Sequence, residues 1–230
     1  MQLLSVIIPV YNEERTIEQV LQKVIDAPLP QGVLLEVIIV DDGSKDDTAG
    51  HLHAFHSDPK VRIFHQVNQG KTAALLKGIK EARGDIFLIQ DSDLEYDPEQ
   101  YPQLLNPILN NSASVVYGSR FLGHIDGMKI VNRLANLISN WTLSLLYGAC
   151  ITDVNTCYKV FRREAFAGVE ITSRNFAFET EITVKFLKKK LQIIEVPIRY
   201  SARTRGQGKK INWLTALEMY WPIIKFRFWS

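Results

Sequence analysis

Short apolar runs alternate with helical patterns along the first half of the chain. Residues 3–10 form one such run, rich in Val and Ile, which is typical of a strand buried on both faces. Apolar residues at helical spacing follow over residues 17–24, where Asn12 is expected to cap the first turn. Further strands are predicted over residues 34–40, 61–66, 86–90 and 114–117, and further helices over residues 46–55, 72–83 and 98–110. This alternation predicts an α/β fold with a mostly parallel sheet covered by helices on both faces.

The pattern after residue 118 is less regular. It predicts an uncharged helix over residues 130–147, a loop over 153–158, a helix over 179–190 and a strand over 192–200. Three of the four tryptophans lie in residues 211–230, interleaved with Lys225, Phe226, Arg227 and Phe228. We expect this segment to be an amphipathic helix that faces a membrane, with residues 226–229 exposed. No stretch of about 20 apolar residues is available to span a bilayer.

Charge divides the chain into two unlike halves. Residues 1–100 contain 17 Asp or Glu and 9 Lys or Arg, a net charge of −8, whereas residues 101–230 contain 8 and 18, a net charge of +10. An acidic half suits a bound metal, and a basic half suits a phosphate, a nucleic acid or an anionic membrane. The two cysteines, Cys150 and Cys157, are too few for a disulfide scaffold or a Cys-rich zinc module. We therefore expect a reduced compartment, and the uncharged start of the chain predicts no signal peptide.

Carboxylates follow three of the predicted strands. Glu13 follows the first strand, Asp42 follows the second, and Asp91, Asp93 and Glu95 follow the strand that ends at residue 90. Taken singly, such residues are often helix caps or turn residues. Because the carboxyl ends of parallel strands meet at one edge, where ligands bind, we expect these side chains to lie together. Hard oxygen ligands of this kind favour Mg²⁺ or Mn²⁺.

Other nucleotide-binding motifs are incomplete. Gly70-Lys71-Thr72 looks like the end of a P-loop, but His65 stands where that loop requires a glycine. No Gly-x-Gly-x-x-Gly follows the first strand, which argues against a dinucleotide cofactor.

Seven short motifs occur in order along nearly the whole chain. They are Pro9-x-Tyr11-Asn12-Glu13, Asp41-Asp42-Gly43-Ser44, Asn68-x-Gly70-Lys71, Asp91-x-Asp93, Gly118-Ser119-Arg120-Phe121, Asp153-Val154-Asn155-Thr156-Cys157-Tyr158-Lys159, and Glu195-Val196-Pro197-Ile198 followed by Arg203 and Lys209. Together they resemble the motifs of family 2 glycosyltransferases, which have the Rossmann-like GT-A fold. The chain is most similar to the dolichol-phosphate mannose synthases and related polyprenyl-phosphate glycosyltransferases.

The resemblance implies a role for each matching residue. The positions that hold the nucleotide are Pro9, Tyr11, Glu13, Val40, Asp42, Asp91 and Ser92. The implied metal ligands are Asp91, Asp93 and Glu95, of which Glu95 stands where related enzymes often have Gln. The basic positions that contact the acceptor phosphate are Arg120, Arg133, Arg203 and Lys209. The implied catalytic residues are Asp93, Arg120, Arg203 and Lys209.

The resemblance also implies the reaction. It predicts an inverting, metal-dependent transfer of one sugar, mannose or glucose, from a GDP- or UDP-linked donor to a polyprenyl or dolichyl phosphate. The cofactor is a divalent cation, Mg²⁺ or Mn²⁺, and no nucleic acid is involved. Residues 1–210 are then the glycosyltransferase domain, with a nucleotide-sugar half over about 1–120 and an acceptor half over about 121–210. The protein is expected to be cytoplasmic and peripheral on the cytoplasmic face of a membrane, with or without a membrane-embedded partner subunit.

Two alternatives stay open at the level of sequence. A hydroxyl acceptor would need a carboxylate base, for which Glu179 or Glu181 could serve. A nucleotide-sugar-binding subunit without turnover is the alternative from a different class. A processive polysaccharide synthase is disfavoured, because the Gln-x-x-Arg-Trp element is absent from the sequence.

Overall fold

The structure is a computed structural model that describes residues 1–203 and 213–229. Within these residues the strands form one seven-stranded sheet in the order β3-β2-β1-β4-β6-β5-β7. The strands are β1 (Gln2–Val10), β2 (Val33–Asp41), β3 (Val61–His65), β4 (Ile86–Ile89), β5 (Val115–Asp126), β6 (Lys159–Arg162) and β7 (Ile193–Ser201). All neighbouring strands are parallel except β6, which is antiparallel to both β4 and β5. The predicted mostly parallel sheet is confirmed.

Helices connect these strands and flank the sheet. They are α1 (Ile17–Ile25), α2 (Thr48–His53), α3 (Lys71–Glu81), α4 (Tyr101–Leu109), α5 (Ile130–Tyr147), α6 (Arg163–Phe166), α7 (Phe178–Lys188) and α8 (Trp213–Phe228). A short 3-10 turn, Pro98–Gln100, precedes α4. The predicted helix over residues 130–147 has the bounds that α5 has in the structure.

The main hydrophobic core lies on both faces of the central strands. Every residue of β1 from Leu4 to Val10 is buried, as the continuous apolar run predicts. Helix α3 packs closely onto this strand because Gly78 has no side chain, and a Cβ there would lie 2.5 Å from Cγ2 of Ile7. The core therefore fixes the carboxyl ends of β1, β2 and β4 at one edge of the sheet.

Two strand features differ from the prediction. Strand β5 does not end at residue 117 but continues to Asp126, with an irregularity against β7 between Ser119 and His124. The polar and glycine residues after Tyr117 interrupt the apolar pattern, although they still pair with β7. Strand β6 and helix α6 were not predicted. Strand β6 begins with Lys159, which is fully buried despite its charge, so a charged residue stands where a buried strand usually has an apolar one.

Asn12 does not cap α1, so that prediction was wrong. Helix α1 begins only at Ile17, and Asn12 has a left-handed backbone with φ of 51°. The Asn12 side-chain oxygen instead accepts a hydrogen bond from the backbone N–H of Lys45, at 2.7 Å. Asn12 thus joins the loops that follow β1 and β2.

A second, smaller core joins α5, α7 and α8. Its buried residues are Leu143, Ile151, Val154, Val184, Ile223 and Phe226. The expected exposure of Phe226 was wrong, because this ring packs into the second core and is only 5% exposed. Phe228 and Trp229 are exposed, as expected. Helix α8 is therefore attached to the domain through one face.

A buried carboxylate joins the amino-terminal parts of three strands. Glu36 of β2 accepts hydrogen bonds from Ser5 Oγ at 2.5 Å, from the Arg83 backbone N–H at 2.9 Å and from Arg62 Nη1 at 3.0 Å. Burial alone would raise the pKa of Glu36, but these hydrogen bonds outweigh it and lower the pKa. Glu36 is therefore ionised and stabilising near neutral pH.

We expect Glu36→Gln to lower the free energy of unfolding at pH 7 by about 1–3 kcal/mol, because it removes a charged hydrogen-bond acceptor from a buried site. Urea denaturation measures the change, and Glu99→Gln, at an exposed position, is the matched control. A carboxyl with a lowered pKa stabilises the fold above its unfolded pKa of 4.5, and this stabilisation is lost as the pH falls through the folded pKa. The difference between wild type and variant should therefore shrink in acid. Equal stability at pH 7 would contradict this role.

Candidate active site

A cavity of about 340 Å³ lies beyond the carboxyl ends of β1, β2 and β4. Ligands bind at this edge in open α/β sheets, where loops and helix N-termini converge. Most of the predicted site residues line the cavity. They are Pro9, Tyr11, Glu13, Asp42, Asp91, Ser92, Asp93, Glu95, Arg120 and Arg203.

Two predicted site residues, Val40 and Arg133, do not line the cavity. Val40 is fully buried within β2, so its side chain belongs to the core. Arg133 is exposed on α5 and lines neither this cavity nor the neighbouring one described below. Lys209 lies outside the described residues. Its predicted role stays a prediction.

Asp42 shapes the loop that forms one wall of the cavity. Its Oδ1 accepts hydrogen bonds from Gln66 Nε2 and the Gln69 backbone N–H, at 2.7 and 2.8 Å, and its Oδ2 accepts one from the Gly70 N–H at 2.8 Å. Gly70 has φ of 92°, and a Cβ there would collide with Oδ1 of Asn175. The glycine that looked like part of a P-loop is therefore required by this turn at the start of α3.

Lys71, the first residue of α3, connects two carboxylates of the cavity wall. Its Nζ lies 2.7 Å from Asp91 Oδ1 and 2.7 Å from Glu179 Oε1. Burial alone would lower the pKa of Lys71, but Asp91 and Glu179 raise it well above its usual value. The ammonium group therefore stays charged and holds both carboxylates in place.

We call the carboxylates at the strand ends, Glu13, Asp42, Asp91, Asp93 and Glu95, the acidic rim. Arg203, just after β7, contacts two of them. Its Nη1 lies 2.9 Å from Glu13 Oε2, and its Nη2 lies 2.8 Å from Asp93 Oδ2. Glu95 holds the same segment, since it accepts hydrogen bonds from the Arg203 backbone N–H at 2.7 Å and from the Tyr200 hydroxyl at 2.6 Å. The acidic strand ends are thus joined directly to the end of β7.

Asp93 has a strongly perturbed ionisation. Burial and the negative charges of Asp91 and Glu95 raise its pKa to about 7, against the opposing effect of Arg203. In this conformation Asp91 contacts Lys71 and Asp93 contacts Arg203. Among the described residues, no group of three His, Cys, Asp or Glu is arranged to hold a metal ion. The predicted ligands are close neighbours but do not converge on one point.

Arg120 forms a buried ion pair on the far side of the cavity. Its Nε and Nη2 donate to the two carboxylate oxygens of Asp153, each at 2.7 Å, and its backbone N–H donates to Oδ2 at 2.9 Å. Glu195 of β7 accepts hydrogen bonds from the backbone N–H groups of Thr152 and Asp153. Arg120 is therefore fixed in direction by the loop before β6.

Lys159 supports this loop from beneath. Its Nζ donates to the Val154 carbonyl at 2.9 Å and lies 3.6 Å from the centroid of the Tyr117 ring. Burial lowers the pKa of Lys159 to about 7, although Glu179 and Asp153 act to raise it. A buried amine thus anchors the loop that carries Asp153.

The two candidate carboxylate bases have different surroundings. Glu181 is fully buried and accepts hydrogen bonds from the backbone N–H groups of Thr172 and Ser173, which makes it a structural residue. Glu179 lines the cavity. Of the two, only Glu179 is placed to meet a ligand in this cavity.

The sequence assigned no role to Lys71 or Asp153, although both stand in the quoted motifs. Their roles depend on Glu179 and Arg120, which lie 108 and 33 residues away along the chain. In the sequence, Lys71 and Asp153 could have been noticed as charged residues close to a glycine or an asparagine, next to a predicted helix or in a predicted loop. That signal identifies a rim position but not its ion-pair partner.

A second cavity of about 400 Å³ lies between α5 and α8. It shares Arg120, Asn155, Tyr200 and Met219 with the first cavity. Its remaining wall is largely apolar and includes Ile138 and Leu217. The shared residues form a common wall between an acidic cavity and an apolar one.

Many apolar side chains of α5, of α8 and of the residue after α8 are exposed. We call them the α5–α8 apolar surface: Ile130, Val131, Leu134, Leu137, Ile138, Trp141, Leu145, Leu217, Trp221, Phe228 and Trp229. Trp141 is 68% exposed and Trp221 is 54% exposed. Within residues 1–203 and 213–229, no helix combines the length and the apolar character needed to cross a membrane.

The family pattern described as "Glycosyl transferase family 2" matches residues 5–169, which include the acidic rim, Arg120 and Asp153. The chain belongs to glycosyl transferase family 2. The family and the enzyme class expected from the motifs are confirmed.

Two relatives match most of the chain. A dolichol-phosphate mannosyltransferase from Pyrococcus furiosus is 31% identical over 212 residues, which cover 89% of this chain and 58% of the relative. An undecaprenyl-phosphate mannosyltransferase from Micrococcus luteus is 29% identical over 216 residues, which cover 88% of this chain and 85% of the relative. The chain thus spans little more than half the length of the first relative.

A solved structure has the same fold. It is a glucosyl-3-phosphoglycerate synthase from Mycobacterium tuberculosis, in complex with Mn²⁺, uridine diphosphate and glucosyl-3-phosphoglycerate. The TM-score is 0.74 with 23% sequence identity, and the match covers 98% of this chain and 80% of that one. The predicted GT-A fold is confirmed.

We expect the stability contributed by Lys159 to depend on pH. Its folded pKa of about 7 lies below the usual 10.5, so between these values the unfolded chain binds more protons than the folded one. Stability should therefore rise with pH in this window, by up to about 1.4 kcal/mol per pH unit. Lys159→Met should remove this increment, which chemical denaturation at pH 7 to 9.5 measures. Lys60→Met, at an exposed position, is the control and should leave the pH dependence unchanged.

Proposed function

We propose that this chain transfers a single sugar from a nucleotide-sugar donor to a polyprenyl phosphate. The observation that carries the proposal is that carboxylates of the strand ends and two guanidinium groups, buried Arg120 and partly buried Arg203, line one cavity. A donor diphosphate and an acceptor phosphate are both anionic, and their reaction requires cations on both sides. The names of the Pyrococcus and Micrococcus relatives support this pairing of substrates.

The donor nucleotide is proposed to bind along the ends of β1 and β2. Pro9, Tyr11 and Glu13 form the wall beside Asp42, and together they would hold the base and ribose. Asp42 already supports the loop at Gly70, so its contribution includes the shape of this wall. The diphosphate would then lie toward Asp91, Ser92 and Asp93.

A divalent cation, Mg²⁺ or Mn²⁺, fits the chemistry of the acidic rim. Asp91, Asp93 and Glu95 offer hard oxygen ligands, and their mutual repulsion is expressed in the raised pKa of Asp93, about 7. Such an ion, which the fold neighbour also binds, supplies neutralisation of the charge that develops on the leaving diphosphate. We propose that Asp93 gives up its contact with Arg203 when it serves as a ligand.

The acceptor needs orientation more than proton removal. A polyprenyl phosphate is largely ionised near neutral pH, since its second pKa is about 6. Arg203, released from Asp93, and Arg120, held by Asp153, would direct the phosphate oxygen toward the anomeric carbon. The new oxygen–carbon bond forms opposite the breaking bond to the diphosphate, so the configuration inverts. Lys209 is proposed to assist from the basic segment after Arg203.

A hydroxyl acceptor is less well supported. It would require Glu179 as general base, and Lys71 holds Oε1 of Glu179 at 2.7 Å. The carboxylate of Glu179 is therefore committed to an ion pair that also includes Asp91. The ion pair therefore favours an acceptor that is already anionic.

The α5–α8 apolar surface supports a peripheral position on a membrane. Exposed tryptophans with Lys225 and Arg227 nearby suit the interface between lipid headgroups and acyl chains. The second cavity opens between the same two helices, which would place the phosphate of a membrane lipid close to Arg120. We propose the cytoplasmic face, where nucleotide sugars are available, with or without an embedded partner subunit.

Incubation of the protein with Mn²⁺, a polyprenyl phosphate and separate GDP- and UDP-linked hexoses tests the function. The expected result is one glycolipid product, formed from one donor. Excess chelator should abolish its formation. Transfer to a soluble hydroxyl acceptor in place of the lipid phosphate would contradict the proposal. Binding without turnover would favour the alternative of a non-catalytic subunit.

Asp93→Asn should lower turnover by about a hundredfold or more while the fold is kept, because it removes charge from the site where the leaving group is stabilised. Calorimetric titration of the same variant with the nucleoside diphosphate, in the presence of Mn²⁺, should reveal weaker binding than in wild type. Asp97→Asn is the matched control, since Asp97 caps the 3-10 turn and does not line the cavity. Nearly unchanged activity in Asp93→Asn would contradict the proposal that Asp93 binds a metal ion.

Replacing Trp221 and Trp229 together by Ser should weaken binding to anionic vesicles, because it removes apolar area that would enter the lipid interface. Co-sedimentation with vesicles at low and high salt measures the effect, and transfer to a long-chain lipid should fall more than transfer to a short one. The matched control replaces Leu34 and Val67, which are exposed elsewhere. Equal vesicle binding in both double variants would contradict the membrane role of this surface.

A further inference from the structure

One carboxylate oxygen in the cavity wall has no hydrogen-bond partner. Glu179 lies in the first turn of α7, is 3% exposed and lines the cavity. Its Oε1 accepts the hydrogen bond from Lys71, but its Oε2 is buried and makes no hydrogen bond to any of the described residues. Buried polar atoms are rarely left unpaired, because each such atom costs about 1–3 kcal/mol. This oxygen is therefore available to a hydrogen-bond donor that enters the cavity.

The position of Glu179 indicates which part of a donor it meets. A single ammonium group, that of Lys71, lies 2.7 Å from Glu179 and 2.7 Å from Asp91. Asp91 belongs to the Asp-x-Asp element that is proposed to meet the diphosphate. Because the hexose is bonded directly to that diphosphate, a residue this close to Asp91 is within reach of the hexose end of the donor.

The chemistry of the carboxylate makes the same distinction. An ionised carboxylate accepts hydrogen bonds and cannot donate them. Phosphate oxygens are also anionic acceptors, so they are repelled from Glu179. Hexose hydroxyl groups are neutral donors and suit a buried acceptor.

We propose that Glu179 is a specificity-determining residue that accepts a hydrogen bond from one hydroxyl group of the transferred hexose. Lys71 is its positioning residue, because it fixes Oε1 and leaves Oε2 for the ligand. The ring of Phe176, with its centroid 5.9 Å from Lys71 Nζ, packs beside the same ammonium. This inference rests on the proposed use of a nucleotide sugar, but not on the identity of the acceptor.

Calorimetry with Mn²⁺ tests the inference without any acceptor. Wild type and Glu179→Gln are titrated with the hexose donor that wild type binds, with its monodeoxy analogues and with the corresponding nucleoside diphosphate. In wild type, one deoxy donor should bind about ten- to a hundredfold more weakly than the parent, the range for a hydrogen bond to a charged group. Glu179→Gln should lose this discrimination and bind the free nucleoside diphosphate as wild type does.

The matched control is Glu181→Gln, which removes a buried carboxylate from the same helix. Glu181 is bound by Thr172 and Ser173 and does not line the cavity, so this variant should keep the wild-type discrimination even if it is less stable. Lys71→Met should lose the discrimination as Glu179→Gln does, and Lys71→Arg should restore part of it.

Three outcomes would overturn the inference. Undiminished discrimination among deoxy donors in Glu179→Gln would mean that another group reads the hydroxyl. An equal loss of affinity for the free nucleoside diphosphate would place the contact on the nucleotide. A wild-type protein that binds no nucleotide sugar would overturn both this inference and the proposed function, whereas failure to glycosylate a polyprenyl phosphate alone would overturn only the latter.

Discussion

The cavity depends on the pairing of buried or partly buried carboxylates with cations from other segments of the chain. Asp91 is paired with Lys71, Asp93 with Arg203, and Asp153 with Arg120. Removing one partner of such a pair leaves an uncompensated buried charge, which is far more costly than the loss of an exposed ion pair. Of these three pairs, that of Asp93 and Arg203 joins the acidic first half to the basic second half, and Arg203 also contacts Glu13. Folding places these cations beside the carboxylates, and their attraction offsets part of the free-energy cost of burying the charges.

The antiparallel strand β6 explains why both halves contribute to one edge. In a parallel strand, the loop that follows the strand reaches the rim. Because β6 runs against β4 and β5, the loop before it reaches the rim instead. That loop carries Asp153 and Asn155, while Lys159 anchors it from the first position of the strand. One reversed strand thus brings the support of Arg120 to the edge where Asp91 and Asp93 lie.

Local patterns were sufficient to predict the parallel strands, the long helix α5 and the acidic rim. Each of these depends on the residues of one segment, such as the continuous apolar run of β1 or the Asp residues after β4. The missed features depend on contacts across the chain. The extension of β5 is stabilised by pairing with β7, and the buried charge of Lys159 is tolerated only beside Tyr117 and the Val154 carbonyl. The unpaired oxygen of Glu179 likewise follows from the position of Lys71, which no sequence pattern specifies.

The wall shared by the two cavities has a thermodynamic consequence. Arg120 and Tyr200 face both spaces, and the Arg120 guanidinium lies 5.0 Å from the Tyr200 ring. An occupant of either cavity that shifts these side chains changes the free energy of filling the other. Linkage makes that effect reciprocal, so the factor by which the first occupant alters the affinity of the second equals the factor in the opposite direction. The order in which the two spaces fill can therefore affect rates, but it cannot affect the total free energy of filling both.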